Sequence, residues 1–187
     1  PKFEPKQACP GHNLLDCFVM DMSHEDKLQL NNVINYLDNR GLGNRIEQFN
    51  WSNEENLRNR VLVPLTFLNK PMGYTGRLIR EGRPKYYSDI HSNFIVNYDK
   101  QQDNAKFCIV VEGVLDAIAI DALAVMSNEC SEQQASIIDS LNREVIVVPD
   151  FDSKIVKGRN VWAGSKLVDQ AIEFRSEEHT SELQSLR

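Results

Sequence analysis

Two continuous apolar runs, each ending in acids, constrain the fold of this 187-residue chain more than any other feature. Phe107-Cys108-Ile109-Val110-Val111 stops at Glu112-Gly113, and Val145-Ile146-Val147-Val148 stops at Pro149-Asp150-Phe151-Asp152. An apolar run without alternation is the pattern of a strand covered on both faces, as in a parallel sheet. In such sheets chemistry collects beyond the carboxyl ends of the strands, so Glu112, Asp150 and Asp152 are predicted to meet there although they lie far apart in sequence. Gathered carboxylates repel one another, and a hard divalent cation is the usual remedy. The chain therefore reads as built to hold magnesium, with manganese as the alternative ion.

The pattern around these runs is strand 107–111, a helix near 114–124, a short strand at Val125-Met126, a helix from Glu132 to Leu141, strand 144–148 and a helix near 164–173. Strands alternating with helices predict a parallel sheet with right-handed crossovers. Glu112 and Asp116 fall at a spacing that places both acids on one face of the first helical turn, with Asp116 an orienter of the site. Further upstream, Ser23 with Asp26 predicts a helix cap, and Leu30, Val33, Ile34 and Leu37 recur at helical spacing until Arg40-Gly41 ends the element. From Arg60 the reading changes to strands over 61–67 and 72–79, with turns at Asn69-Lys70-Pro71 and Glu81-Gly82-Arg83-Pro84. The expected division is an irregular lead-in over 1–22, a basic antiparallel β/α subdomain over 23–100, and an α/β domain with a helix-flanked parallel sheet over 101–174, entered through the polar run Lys100 to Lys106.

Hydrophobic content of 41% supports a sizeable core, and no window approaches the roughly 18 apolar residues that a membrane span needs. No charged stretch leading into an apolar one opens the chain, and a cytoplasmic, reducing location suits the four cysteines, of which Cys108 sits in a predicted core strand. Cys9-x2-His12-x4-Cys17, with His24 nearby, matches no standard zinc spacing and is read as unligated loop residues. The net charge of −6 hides an uneven distribution. Arg58, Arg60, Lys70, Arg77, Arg80, Arg83 and Lys85 stand against Glu81 alone in one segment, which is thus +6 and leaves −12 elsewhere. A basic strip interleaved with Tyr74, Tyr86 and Tyr87 can follow a phosphate backbone and stack on bases, or it can be a solvated sheet face. Met72 and Tyr74 read as half-buried packing.

The motifs resemble a known family. Glu112-Gly113-Val114-Leu115-Asp116 followed by Asp150-Phe151-Asp152 is similar to the E-G-x-x-D and D-x-D elements of the TOPRIM domain of bacterial-type DNA primases, a pair shared with type IA and II topoisomerases and some nucleases. Tyr36-Leu37-Asp38-Asn39-Arg40-Gly41-Leu42 resembles the Y-L-x-x-R-G-L of the primase RNA-polymerase core. Arg60-Val61-Leu62-Val63-Pro64, Gly73-Tyr74-Thr75-Gly76-Arg77 and Pro84-Lys85-Tyr86 resemble, in order, its R-I-x-F-P-I, G-x-x-G-R and P-K-Y elements. The resemblance covers about residues 26–174, and its looser style is closer to a phage-encoded primase, which would work in the host cytoplasm.

The resemblance implies synthesis of short RNA primers from ribonucleoside triphosphates on a single-stranded DNA template by metal-dependent nucleotidyl transfer. It implies Glu112, Asp150 and Asp152 as metal ligands, Glu112 and Asp116 as catalytic acids, and Arg60, Arg77 and Lys85 as nucleotide- or nucleic-acid-binding residues. A replicative helicase, reached through regions outside this chain, is a further implied partner. Two departures stand out. Ser153 to Trp162 intervene between D-x-D and the A-G-R helix start, and read as an inserted loop. The family's last acidic motif has no counterpart before Arg175, where the run to Ser185 back-translates to a common short-read sequencing adapter. Residues 175–187 are therefore expected to be an adapter-derived tail, and the chain, which also opens without Met, a fragment of weak or no activity that lacks the zinc-binding and helicase-binding parts. The competing readings are a TOPRIM nuclease or topoisomerase, and a non-catalytic module that binds single-stranded DNA.

Overall fold

The computed structural model describes residues 3–150, 153–156, 159–162, 164 and 166–173. Its elements in chain order are β1 (His12–Asn13), α1 (Leu14–Cys17), α2 (His24–Asn39), β2 (Asn50–Trp51), β3 (Arg60–Phe67), β4 (Lys70–Leu78), β5 (Tyr86–Asp89), β6 (Phe107–Val111), α3 (Val114–Ile120), β7 (Leu123–Ala124), α4 (Glu132–Asp139), β8 (Glu144–Val148), β9 (Ser153–Val156) and β10 (Arg159–Trp162). A last helix, α5, covers 166–173. The chain is a mixed α/β protein that divides into two compact units, Lys2–Ser92 and Asn93 onward. No helix among the described residues is long and apolar enough to cross a membrane.

The first unit is built on a five-stranded antiparallel sheet in the order β1-β2-β3-β4-β5. Helix α2 begins where Ser23 accepts the Asp26 amide and ends where Gly41 takes a left-handed φ of 71°, as the sequence predicts. Leu30, Val33 and Leu37 form its buried stripe. The expected irregular lead-in is partly ordered: β1 pairs with β2, and α1 buries Leu14 and Cys17. Two-residue strands and one-turn helices are too short to show a period, so this order had no signature in the sequence. The turn between β3 and β4 falls at Leu68-Asn69, both at positive φ (51° and 59°), and Pro71 pairs with Thr66 inside the strand. That geometry suits a tight two-residue hairpin, which closes one residue earlier than Asn69-Lys70-Pro71 suggests.

The second unit holds a three-stranded parallel sheet in the order β7-β6-β8. Strands β6 and β8 have the predicted bounds. Helix α3 stops at Ile120 because Asp121 turns left-handed at φ 54°, and β7 is Leu123–Ala124, two residues ahead of the expected Val125-Met126. Burial corrects one expectation: β8 alternates, with Ile146 43% and Val148 47% exposed. Its other face, Val145 and Val147, lines a groove shared with Ile138 of α4 and Leu167 of α5. Among the described residues α4 and α5 meet only the Val145/Val147 face of β8, so continuous apolarity overstated its burial. Phe94, Ile95 and Val96 are buried in this unit, and Val96 bridges Ala124, so the unit starts before the polar run Lys100 to Lys106. The segment Ser153 to Trp162, expected as a loop, forms the antiparallel β9–β10 hairpin. Asp152 and the tail 175–187 lie outside the described residues.

Candidate functional site

Chemistry-bearing residues collect at two places, one in each unit. In the second unit, the parallel register sets Val111 of β6 beside Val148 of β8, so both chains leave the sheet at the same end. Glu112 follows immediately, on the central strand, and Asp150 comes two residues beyond β8. The Asp150 backbone N–H donates to Glu112 Oε1 at 3.1 Å, which ties the two segments across 38 residues of sequence. Glu112 is half-buried and Asp150 is exposed.

Asp116 completes this region through Gly113. The glycine is the N-cap of α3 and offers no side-chain cap, and the Asp116 carboxylate lies where a Cβ on Gly113 would stand. Any larger residue at 113 would push that carboxylate away, which gives the glycine of E-G-x-x-D a steric reason. Among the described residues no group of three or more His, Cys, Asp or Glu side chains gathers as a metal-holding cluster, and Asp152 is not one of them. Carboxylate oxygens such as those of Glu112 and Asp150 have the hard chemistry that suits magnesium or manganese rather than soft metals.

In the first unit, Arg60 organises the basic strip. Its side chain is buried, with the residue 6% exposed, and it has no carboxylate partner among the described residues. Instead Nε donates to Asn56 O at 3.2 Å, one Nη to Gly76 O at 3.0 Å, and the other to Pro84 O at 3.1 Å. Burial, and after it the Arg80 charge, pull its pKa below the usual arginine value. The residues that follow those last two carbonyls are Arg77 and Lys85. Arg60, expected to touch nucleotide or nucleic acid, thus spends its donors on the backbone beside the other two motif cations.

Gly76 makes this possible. A Cβ there would stand 2.9 Å from Leu62 Cδ2 and 3.2 Å from Arg60 Cδ, so only glycine lets the arginine stem cross the strand. Arg77, on the next position, lies over the Tyr86 ring at 5.0 Å and makes no ion pair among the described residues. Arg80, Arg83 and Lys85 are exposed on the turn between β4 and β5. Arg58 is different: it pairs with Glu25 at 3.0 Å. The aromatic residues divide likewise, with Tyr74 half-buried as expected and its hydroxyl pKa raised by burial, while Tyr87 is exposed.

Near the start of the chain, the thiols of Cys9 and Cys17 donate to Pro10 O and His12 O. Burial pushes Cys9 up to about 12, so both donors stand as neutral thiols.

No family model matches the chain, and no curated protein matches it. Among solved structures the chain is similar to bacterial primase catalytic cores. The DnaG catalytic core is 21% identical over 70% of this chain and 52% of that one, with a TM-score of 0.46. The E. coli primase catalytic core is 24% identical over 79% and 48%, with a TM-score of 0.40. A DnaG primase catalytic domain bound to ssDNA is 19% identical over 83% and 70%, with a TM-score of 0.42. The chain spans about half the length of the first two. Superposition at this level is partial, so the functional reading stands on the chain's own residues.

Proposed function

We propose that the chain is part of a DNA primase core, which joins ribonucleotides into a short primer on single-stranded DNA. The observation that carries this reading is the Asp150 N–H to Glu112 Oε1 bond, which supports the convergence of two acidic motifs from separate strands. In the reaction a 3′-hydroxyl attacks an α-phosphate and pyrophosphate leaves. A bound magnesium or manganese ion supplies charge neutralisation at the reacting phosphates, and Glu112, Asp150 and Asp152 are the residues that would hold it.

The protein's own groups do the remaining work. Glu112, tied through Oε1 to the Asp150 amide, would act as metal ligand or proton acceptor. Asp116, seated over Gly113, keeps negative charge at the first turn of α3, in the helix that follows Glu112. Arg77 and Lys85 supply cations for triphosphate or template phosphates, and Arg60 holds the backbone before each of them. A soluble polymerase of this kind would work in the cytoplasm on nucleoside triphosphates and, in the whole protein, beside a helicase.

The test is primer synthesis by the complete gene product from labelled ribonucleotides, single-stranded DNA and magnesium. Glu112→Gln and Asp150→Asn are each expected to lower the rate by about a hundredfold or more while oligonucleotide binding persists. Unchanged function in both variants would favour a binding module, and nicking of duplex DNA without primer would favour a TOPRIM nuclease.

A further inference from the structure

Of the three tyrosines in the basic strip, two have their rings engaged. Tyr86 carries the Arg77 guanidinium at 5.0 Å, and Tyr74 is half-buried against the sheet. Tyr87 is 48% exposed, although aromatic surface left in water forgoes one of the larger gains of folding. It is nonetheless held in place. The Arg60 guanidinium lies 5.9 Å from its ring centroid, and the Tyr74 ring lies 6.4 Å away at 41°. Its register partner across the strands is Gly76, which has no side chain to cover it. Among the described residues the Tyr87 side chain has only these two ring neighbours.

We propose that Tyr87 is a base-stacking platform for single-stranded nucleic acid, a subsite that rests on the primase reading and deepens it. A ring backed by a buried cation and a second aromatic is preorganised, and so costs little conformational entropy when a base lands on it. The cations needed for the accompanying phosphates are on the same turn: Arg80, Arg83 and Lys85 are exposed just ahead of β5. Stacking accepts any base, because each has a π face, so the platform contributes affinity without sequence preference. Arg60 enters as its positioning residue: the guanidinium that binds the Gly76 and Pro84 carbonyls also backs the ring.

The test uses the full chain and fluorescence anisotropy with labelled oligothymidylate across a salt series. Tyr87→Ala is expected to weaken binding by about tenfold, the size of one lost stacking contact, and Tyr87→Phe to keep wild-type affinity. The slope of log affinity against log salt should stay unchanged in Tyr87→Ala, because stacking releases no counterion, whereas Lys85→Ala should reduce it by about one. An oligomer of abasic sites should bind the wild type more weakly and should be indifferent to the Tyr87 substitution. Should Tyr87→Ala lose its native circular dichroism, Tyr87→Leu takes its place, keeping an apolar side chain without a π face. Equal affinity of the folded variant and the wild type for oligothymidylate overturns the platform alone. Failure of the wild type to bind any single strand overturns the primase reading with it.

Discussion

A buried arginine without a carboxylate is costly unless its nitrogens find acceptors, and each of the three nitrogens of Arg60 donates to a carbonyl, from three segments in all. Truncation to Ala would leave those carbonyls unpaired, and a loss of about 2–4 kcal/mol is expected in urea unfolding. Gly76→Ala should cost about 1–3 kcal/mol by overpacking, since the new methyl meets Leu62 and the Arg60 stem. A cost below a few tenths of a kcal/mol would show that the stem moves aside freely. The half-buried Cys9 thiol makes a pH prediction of definite sign. Burial raises Cys9 from 9.0 to about 12, so the folded state keeps a proton that the unfolded chain releases. Its contribution to stability is present below pH 9 and is lost as pH rises toward 12. Alkylation at pH 8 should therefore be slow for native Cys9 and fast after unfolding, and equal rates would contradict the burial.

At the scale of elements, α4 illustrates how a helix with an ordinary sequence acquires a second task. The run from Ser131 predicts an amphipathic helix, and its capping box is complete: Ser131 Oγ accepts the Gln134 amide while Gln134 Oε1 accepts the Ser131 N–H. The same Gln134 is buried and donates through Nε2 to Phe94 O and Val125 O, both at 2.9 Å. Ser131→Ala should cost about 1 kcal/mol, the worth of one cap. Gln134→Ala should cost more, about 2–3 kcal/mol, because two buried carbonyls lose their donor along with the cap. Thermal or urea unfolding of the two variants checks the order, and a reversed order would remove Gln134 from this role.

For the whole molecule, the division at Ser92 and Asn93 is the feature that proteolysis can probe. Both residues are exposed, and Asn93 has a φ of 61°. Limited digestion with a nonspecific protease is expected to cut first near this junction and release two resistant pieces. A first cut within 100–106 would restore the boundary that the polar run suggests. The uneven charge has its consequence at the same scale: under the proposed primase function a −6 chain would meet nucleic acid through one +6 segment, and its binding should weaken steeply with salt.

Local periodicity and capping made α2, β6, α4 and β8 readable, because each depends on side chains within a few residues of one another. The acid-ended strands predicted that Glu112, Asp150 and Asp152 meet; the parallel register brings the two strand ends together and the Asp150 N–H reaches Glu112, while Asp152 lies outside the described residues. Only the tertiary structure decided that β8 exposes Ile146 and Val148, that His12–Asn13 joins the sheet, and that Ser153 to Trp162 forms a hairpin. It also decided that Arg60 turns inward to carbonyls at residues 56, 76 and 84 while Tyr87 remains outside. The sequence by itself determined which segments are apolar, capped or charged. Which partner each group meets depended on contacts between distant residues, whose energies are set by register and packing and leave no local pattern to read.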